Sequence, residues 1–315
     1  MIPQLKEFEL FTYRNSYEMI NFDVSDEFVF ICTCDEIHQY CKGSTIPVVG
    51  KLGFSPTFNA FFSDKFFIGS KENLYYFKYE LYKLGSLNSL ALCLFVNKYL
   101  IAVDGENNKI QVFNVECNNL CKPRIDHAKH TVECDSVCLL HEIAMKSFEG
   151  CNSFGLCSAY FIIDDLVFLG FESGTIVSFA AAQLSEPHSI SFDVICTLKS
   201  PIITIVVKDS IVFALTLTGI FKIKIENPEC QDFFTSVKGK MLLLFANLLI
   251  LVQDQRLLIF DLDLNLVIRY LSLLEIKVCK IRSESFYVGF SNGLLVQYDL
   301  DCLIKCKKLI KTKKV

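Results

Sequence analysis

The chain has 315 residues, 52% of them hydrophobic, and a formal net charge of −4 at pH 7. This length and composition allow a large buried core and exclude an intrinsically disordered protein. The longest apolar stretch, 241–252, is interrupted only by Asn247 and is too short to cross a bilayer, so we expect no transmembrane helix and no membrane partner.

The compartment is predicted from the N-terminal residues and the cysteines. The N-terminal residues carry charges inside an apolar stretch and offer no small-residue cleavage site, which argues against a secretory signal. The 15 cysteines are spread through predicted strands, and their number is odd. We therefore expect a reducing compartment and interpret most of them as small core residues, among them Cys32, Cys34, Cys93, Cys196 and Cys279.

Seven short polar turns separate pairs of apolar runs. The turns are 34–36, 70–73, 104–108, 172–174, 217–219, 253–256 and 291–293. The run before each turn is rich in β-branched and aromatic residues: FVFIC from 28, KFFIG from 65, KYLIAV from 98, DLVFLGF from 165, SIVFAL from 210, NLLILV from 247 and SFYVGF from 285. Such runs predict strands that are covered on both faces.

The run after each turn ends on a ring or an aliphatic side chain. These end residues are Tyr40, Phe77, Phe113, Phe179, Ile223, Phe260 and Tyr298. The intervals between them are 37, 36, 66, 44, 37 and 38 residues, and five of the six are close to the roughly 40 to 45 residues of a WD40 blade. The pattern predicts an all-β, seven-bladed WD40-like β-propeller with degenerate repeats. Two packed β-sandwiches would leave the period unexplained.

We expect one domain over 1–315, with an insertion at about 117–156 and a basic tail at 305–315. Glycines in the turns are predicted to supply positive φ angles, at Gly105, Gly174, Gly219 and Gly293, and Asn73, Asn107 and Asn108 to tolerate them. The chain has no Trp, so the predicted blade anchors are Phe77, Phe113, Phe179, Phe260 and Tyr298.

Closure of a ring requires one terminus to complete the last blade. The segment 5–11 alternates as an edge strand does, and it is one candidate partner for the strand that contains Tyr298. The segment 303–311 is the other candidate. The sequence leaves both open.

The insertion contains a cluster of possible zinc ligands. They are Cys117, Cys121, His127, His130, Cys134, Cys138 and His141. Zinc prefers four tetrahedral N or S ligands, but the spacing C-x3-C-x5-H-x2-H-x3-C-x3-C matches no specific zinc finger. The run 137–143, which holds Cys138, also reads as a strand. We therefore favour a cysteine-rich surface insertion and expect no metal.

Catalytic motifs are absent from the sequence. It contains no phosphate-binding G-x-x-x-x-G-K-[ST], no dinucleotide-binding G-x-G-x-x-G after a strand and no G-x-S-x-G elbow. The five histidines leave little scope for His-based acid-base chemistry, and Asp164-Asp165 reads as a turn into a strand. We expect no enzyme activity and no cofactor.

Charge is unevenly distributed. The tail carries Lys305, Lys307, Lys308, Lys311, Lys313 and Lys314, and subtracting these six charges from −4 leaves −10 for the body. An acidic body repels phosphates, so we expect no direct nucleic-acid binding. We interpret the tail as a solvated basic edge; a nuclear address or a phosphate contact is the alternative.

The stretch from Ser86 to Phe179 resembles the ASTRA-associated protein 1 family, which is related to guanine nucleotide-binding protein β-subunit-like proteins. The resemblance rests on SLNSLALCLF from 86, KYLIAVDGENNKIQVFNV from 98 and FGLCSAYFIIDDLVFLGFESGTIVSF from 154. The family's G-[YF]-E-x-G-x-[IV] turn maps onto Gly170, Phe171, Glu172, Gly174 and Ile176. The family's first blade resembles an ordinary WD40 repeat with His and Trp-Asp, whereas residues 17–42 do not.

The resemblance implies a non-catalytic, nuclear subunit of an ASTRA-like complex. Such a complex acts in chromatin remodelling and in the assembly of phosphatidylinositol-3-kinase-related kinases, so the implied partners are kinase and co-chaperone subunits. The alternatives are the propeller subunit of a tRNA-modifying enzyme, a nuclear-pore or coat scaffold, and a small propeller hydrolase. A cytoplasmic location is the alternative to the nucleus.

Overall fold

The structure is a computed structural model. It describes residues 9–14, 18–62, 65–70, 73–78, 80–86, 92–104, 108–114, 124–126, 131–133, 138–144, 154–185, 190–234, 237–282 and 284–300. In these ranges the protein is all-β, and its only helical segment is a 3₁₀ turn at Ala181–Ser185. No helix in the described ranges is long and apolar enough to span a membrane.

The strands of the first half of the chain are short. They are β1 (Glu9–Arg14), β2 (Asn21–Val24), β3 (Phe28–Cys32), β4 (Glu36–Cys41), β5 (Val48–Lys51), β6 (Phe58–Phe62), β7 (Lys65–Gly69), β8 (Asn73–Lys78), β9 (Glu80–Ser86), β10 (Leu92–Val96), β11 (Tyr99–Asp104), β12 (Lys109–Asn114), β13 (Arg124–Asp126), β14 (Thr131–Glu133) and β15 (Cys138–Ala144).

The second half continues the same pattern. Its strands are β16 (Cys157–Ile163), β17 (Leu166–Phe171), β18 (Thr175–Ala180), β19 (Asp193–Thr197), β20 (Ile202–Lys208), β21 (Ile211–Thr216), β22 (Ile220–Lys224), β23 (Asn227–Phe234), β24 (Met241–Phe245), β25 (Leu248–Gln253), β26 (Arg256–Asp261), β27 (Leu266–Leu271), β28 (Ile276–Arg282), β29 (Ser285–Phe290) and β30 (Leu294–Asp299).

These strands form seven sheets, each with a core of four antiparallel strands. Five sheets are plain meanders, β2–β5, β16–β19, β20–β23, β24–β27 and, with two added strands, β6–β9. In the other two, a strand from elsewhere in the chain takes the fourth place: β15 beside β12, and β1 beside β30. Consecutive strands therefore pair by short turns almost throughout, as expected for a repeat of four-stranded units.

The seven predicted hairpins are all present, with a common register. In each one, the ring or aliphatic residue at the end of the second run lies opposite the second residue of the preceding strand. The pairs are Val29–Tyr40, Phe66–Phe77, Leu100–Phe113, Val167–Phe179, Val212–Ile223, Leu249–Phe260 and Phe286–Tyr298. All fourteen side chains are buried. Burial of a large apolar side chain contributes about 1.5–3 kcal/mol, so this pair is a repeated source of stability.

The chain divides into two compact units, residues 1–55 with 239–315 (unit 1) and residues 56–238 (unit 2). In unit 1, one apolar cluster joins the β24–β27 sheet to the sheet of β28–β30, and a second joins β28–β30 and β1 to β2–β4. In unit 2, one cluster joins the sheet of β10–β12 to β16–β18, and another joins the β16–β19 and β20–β23 sheets. Within each unit, neighbouring sheets therefore share buried side chains.

The N-terminal segment completes the last sheet. β1 pairs antiparallel with β30, and Tyr13 lies opposite Leu295. The strand begins at Glu9, four residues after the start of the predicted segment 5–11. The competing segment 303–311 lies outside the described residues.

The predicted insertion contains a regular strand of its parent sheet. β15 supplies the fourth strand beside β12, in agreement with the strand predicted over 137–143. β12 ends at Asn114 and β15 begins at Cys138, so the segment that joins these two paired strands covers the first part of the predicted 117–156 insertion. There, β13 and β14 form a small hairpin whose second strand pairs parallel with β9.

Two local predictions were wrong. Asn73 does not adopt a positive φ; it begins β8, and its N–H donates to Ser70 Oγ at 3.0 Å. Cys34 lies in the exposed β3–β4 turn rather than in a strand. By contrast, Asn108 has a φ of 52°, and Asp164, in the predicted turn before β17, has a φ of 51°.

Asp261, which directly follows the predicted anchor Phe260, organises the next turn. Asp261 Oδ1 accepts hydrogen bonds from the backbone N–H groups of Asp263 (3.0 Å) and Asn265 (2.9 Å). A short acidic side chain that binds backbone groups a few residues onward stabilises a tight turn. The aromatic ring and its neighbouring acid thus have separate structural roles.

A buried carboxylate connects two sheets of unit 1. The Asp23 side chain, 3% exposed, lies 3.2 Å from Lys280 Nζ and 3.4 Å from an Arg282 nitrogen, and it also accepts the Val24 N–H. Asp23 is in β2 and both cations are in β28. A buried carboxylate is stable only when it is paired and hydrogen-bonded, so this cluster fixes β2 against β28.

We expect Asp23→Asn to lower the free energy of unfolding by about 1–3 kcal/mol, because it removes the charge that both cations face. The control is Glu18→Gln, which removes an exposed partner of Lys277 (3.1 Å) and is expected to cost less than about 0.5 kcal/mol. Urea denaturation followed by circular dichroism measures both. Equal losses from the two variants would contradict the role given to Asp23.

Candidate interaction surface

The turn between β17 and β18 has a tightly constrained backbone. Gly174 has a φ of +86°, and its N–H donates to the Phe171 carbonyl at 2.9 Å. A Cβ at this position would collide with the Leu198 carbonyl oxygen. Leu198 in turn donates its N–H to the Gly174 carbonyl at 2.9 Å. Only glycine fits here, because both the φ angle and the close backbone approach exclude a side chain.

The end of the predicted insertion is fixed to this turn. Glu172 donates its N–H to the Leu156 carbonyl (2.9 Å), and Ser173 donates its N–H to the Phe154 carbonyl (3.2 Å). Phe154 is buried, with its ring centre 4.9 Å from that of Phe171. We call residues 154–156 and 172–174 the anchored turn.

The anchored turn also contacts the neighbouring sheet. The Phe154 N–H donates to Asn108 Oδ1 at 3.3 Å, and Asn108 precedes β12. On the other side, Ser173 Oγ donates to Thr175 Oγ1 at 3.1 Å, and Thr175 lies 3.4 Å from the Thr197 hydroxyl. The surface segment is therefore held by backbone and hydroxyl hydrogen bonds on both sides.

What this turn exposes is small and acidic. The side chains of Glu172 and Ser173 are exposed, whereas Phe171 and Gly174 on either side are buried. Among the described residues, Glu172 forms no ion pair. A rigid backbone that presents an unpaired carboxylate and a hydroxyl can bind a partner at little cost in conformational entropy.

Beneath the anchored turn, two sheets approach closely. Ser158 Oγ donates to the Ile202 carbonyl at 2.5 Å, across from β16 to β20. Gly170 makes room for this contact, since a Cβ there would lie 2.7 Å from Ile202 Cγ2. Gly170 belongs to the turn motif identified in the sequence, so part of that motif packs sheets rather than shaping the turn.

The other predicted turn and anchor residues are distributed over the two units. Gly219 and Gly293 have φ angles of +153° and +82°, whereas Gly105 lies outside the described residues. The five predicted anchors are all buried: Phe77, Phe113, Phe179, Phe260 and Tyr298. They pack inside the sheets and belong to no shared site.

The predicted zinc ligands lie mostly outside the described residues: Cys117, Cys121, His127, His130 and Cys134. Cys138 is in β15, where the position of its side chain is not described. Within the described ranges, no group of three or more His, Cys, Asp or Glu side chains is arranged to hold a metal ion.

Most cysteines in the described ranges are buried, and burial changes their chemistry. Burial raises the pKa of Cys32 and of Cys93 to about 12, and that of Cys196 to about 11. Burial also raises the pKa of Cys157 and Cys279. Since the thiolate is the nucleophile and the metal ligand, these thiols are inert near neutral pH.

A second charged surface lies in unit 1 and is internally neutralised. Lys240 contacts Asp254 (2.5 Å) and Glu275 (3.1 Å), and Lys277 contacts Glu275 (3.5 Å) and Glu18 (3.1 Å). The hydrogen bond from Lys240 holds the pKa of Glu275 below its ordinary value. Since each charge already has a partner, this cluster offers less to a ligand than the unpaired Glu172 does.

The sequence did not identify Phe154, Asn108 or Ser158 as residues that position the anchored turn. A signal for Phe154 was present, because an aromatic residue followed by Gly155 ends a polar stretch directly before a strand. Ser158 carried no such signal, since its acceptor at Ile202 is distant in sequence.

Comparisons with known proteins identify the fold. The sequence matches no protein-family model and no curated protein. Several solved structures are similar in three dimensions. BamB from Moraxella catarrhalis has a TM-score of 0.61 at 10% identity, over 92% of this chain and 99% of that one. BBS1N in complex with ARL6DN has a TM-score of 0.63 at 9% identity, over 93% and 96%.

Raptor from Chaetomium thermophilum is also similar, with a TM-score of 0.66 at 11% identity, over 93% of this chain but only 29% of the Raptor chain. Identities this low establish a shared fold and nothing further. The chain is an all-β protein with the β-propeller fold.

We expect Gly174→Ala to destabilise the protein by about 2–4 kcal/mol, because it combines a positive φ with a collision against the Leu198 carbonyl. The control is Gly155→Ala. Gly155 also has a positive φ, +71°, but a Cβ there would make only an ordinary contact, 3.5 Å from Glu172 Cβ. It should cost about 1 kcal/mol. Denaturant midpoints measure both, and a smaller loss for Gly174→Ala would contradict the geometry.

Cysteine labelling tests the burial of the thiols. At pH 8, we expect iodoacetamide to label the exposed Cys34 in the native protein and to leave Cys32 unlabelled, as measured by peptide mass spectrometry. The hydrogen bond from Cys34 Sγ to Asp35 (3.3 Å) raises the pKa of Cys34. Asp35→Asn should therefore speed labelling of Cys34 by about two- to fivefold. The exposed Cys41 is the internal control, and an equal acceleration there would refute the explanation.

Proposed function

We propose that this protein is a non-catalytic interaction scaffold that binds partner proteins through the exposed turns of its sheets. The observation that carries the proposal is the anchored turn, where four backbone hydrogen bonds and the buried Phe154 hold the exposed Glu172 and Ser173 in one conformation. Preorganised surface loops on a rigid scaffold are a common basis of protein recognition.

The fold is compatible with this function. One protein with a similar fold, BBS1N, is known in complex with the protein ARL6DN, so a structure of this kind can hold a protein partner. Fold alone does not select the partner. The kind of partner therefore has to be inferred from the surface and the sequence of this chain.

At finer detail, we propose that the seven sheets are the seven blades of one propeller spanning 1–315. The resemblance over 86–179 favours a subunit of an ASTRA-like complex, with kinase-related and co-chaperone subunits as partners and the nucleus as its location. Support comes from Gly170, Phe171, Glu172, Gly174 and Ile176, which match the family's turn and lie in or directly beside the anchored turn.

Affinity purification from the native organism tests the function. We expect the tagged chain to recover phosphatidylinositol-3-kinase-related kinases and co-chaperone subunits in stoichiometric amounts, identified by mass spectrometry, and to localise to the nucleus. Recovery of a tRNA-modifying enzyme or of coat subunits would replace the ASTRA assignment. Recovery of no stoichiometric protein would overturn the scaffold.

A charge reversal tests the surface. Glu172→Lys is expected to reduce recovery of the partners about tenfold, because the carboxylate is the exposed charge of the anchored turn. The matched control is Glu226→Lys, which makes the same change at an exposed position between β22 and β23 of the same unit. Equal recovery with both variants would move the contact surface away from the anchored turn.

A further inference from the structure

The outer edge of the β24–β27 sheet has unused backbone hydrogen-bonding groups. β27 is the last strand of this sheet. Ser272 donates its N–H to the Gln255 carbonyl (2.9 Å), and Tyr270 lies opposite Leu257 in the same register. Because backbone groups alternate in direction along a strand, Ile268, Tyr270 and Ser272 face β26, whereas Arg269 and Leu271 direct theirs outward. Among the described residues, the outward N–H and C=O groups of Arg269 and Leu271 have no backbone hydrogen-bond partner.

Exposed apolar side chains accompany this edge. Leu266 is 47% exposed, Leu271 36% and Leu273 75%. A strand that has one free edge and exposed apolar side chains is a template for the addition of another strand. Isolated exposed leucines are ordinary, but here three fall within eight residues on one edge.

Other outer strands of the protein carry devices that discourage strand addition. Proteins protect sheet edges with Pro and with charged side chains, especially Lys. The fourth strand of each of the other six sheets contains Pro, Lys, Asp or Glu: Lys51 in β5, Lys83 in β9, Glu142 in β15, Asp193 in β19, Pro228 in β23 and Glu9 in β1. β27 contains none of these four residue types, and its one charged residue is Arg269.

Two guanidinium groups define the charge of the edge. Leu271 lies opposite Arg256, and Arg269 lies opposite Leu258, so Arg256 and Arg269 are diagonal neighbours on one face of the sheet. Both are exposed, and neither forms an ion pair with any described residue. Arginine binds carboxylates through a planar, bidentate fork, so the edge is complementary to acidic side chains.

The protein already contains one example of strand addition. The outer strand β9 is extended by β14, which pairs parallel with it, Val132 opposite Tyr82 and Glu133 opposite Lys83. An outer edge of this fold can therefore accept an additional strand, and there an acidic residue lies opposite a basic one.

We propose that β27 is a docking edge for an extended, acidic segment of a partner protein. The backbone of that segment pairs with Arg269 and Leu271, and its carboxylates bind Arg256 and Arg269. This inference rests on the proposed scaffold function and names the kind of partner segment that one edge takes.

Two other occupants are disfavoured by charge. The chain's own C-terminal tail carries six lysines and has the same sign as the two arginines. A second copy that paired its β27 with this one would bring two sets of Arg256 and Arg269 together, and like charges across neighbouring strands are destabilising.

The test uses fluorescein-labelled ten-residue peptides and fluorescence anisotropy. The first peptide alternates valine and glutamate, the second has lysine for glutamate, and the third is the glutamate peptide with alternate backbone nitrogens methylated. We expect the glutamate peptide to bind at least about tenfold more tightly than either of the others, since only it combines opposite charge with free N–H groups.

Variants locate the binding. Arg269→Glu should weaken binding of the glutamate peptide by at least about tenfold and shift the preference toward the lysine peptide. Leu271→Pro removes an outward N–H, which edge strands tolerate, and should weaken both peptides. The matched control, Lys224→Glu at an exposed position of β22, should change binding by less than about twofold. Thermal melts establish that each variant is folded.

Several outcomes overturn the proposal. Equal affinity for the glutamate and lysine peptides, no binding of either, or an unchanged affinity in Arg269→Glu would each refute the docking edge. A dimer in light scattering that dissociates in Leu271→Pro would assign the edge to a second copy. If purification recovers partners while these peptide tests fail, the docking edge is wrong and the scaffold function stands. If purification recovers no partner, the scaffold function itself fails.

Discussion

The structure depends on the need of every buried strand to find backbone partners on both sides. In each sheet, the second strand is buried along nearly its whole length, as in β17, β21 and β29. An unpaired backbone N–H or C=O in such a place costs about 1–3 kcal/mol, so these strands require neighbours on both edges. The sheets are therefore built outward from strands that are buried along nearly their whole length. A terminal strand of a sheet, such as β27, has a neighbour on one side only.

The burial of the inner strands explains which strands could be predicted from the sequence. A strand buried on both faces is a short, continuous apolar run, so β3, β7 and β29 were predicted to within a residue or two. Outer strands such as β5 and β27 are half exposed, and a mixture of exposed and buried residues lacks a clear period. The predicted end residues succeeded because each is the buried member of a cross-strand pair. The regular interval between these end residues therefore reflects the repetition of the buried pair in each sheet.

The contacts that position the surface were less predictable, because they join residues distant in sequence. The bond from Ser158 to the Ile202 carbonyl and the ion pair of Asp23 with Lys280 depend on how sheets meet, and no local pattern encodes them. The positive φ of Gly174 was predicted, because a glycine in a short turn is a local sequence signal. Its second constraint, the approach of Leu198, was not visible. The sequence also did not show that the backbone groups of Arg269 point away from β26, because that direction follows only from the register of β27 against β26.

The pairing of β1 with β30 has a consequence for synthesis of the chain. Unit 2 is one continuous stretch of sequence, so it can form as soon as residue 238 has left the ribosome. Unit 1 is made of residues 1–55 and 239–315, and β1 must wait without its partner until β30 has been translated. During that interval an apolar N-terminal strand is exposed. Long-range pairing of this kind also slows folding, because a large loop has to be closed before any contact forms. The order of assembly is thereby set by chain connectivity, and β1, which is translated before the whole of unit 2, is paired only after unit 2 has been made.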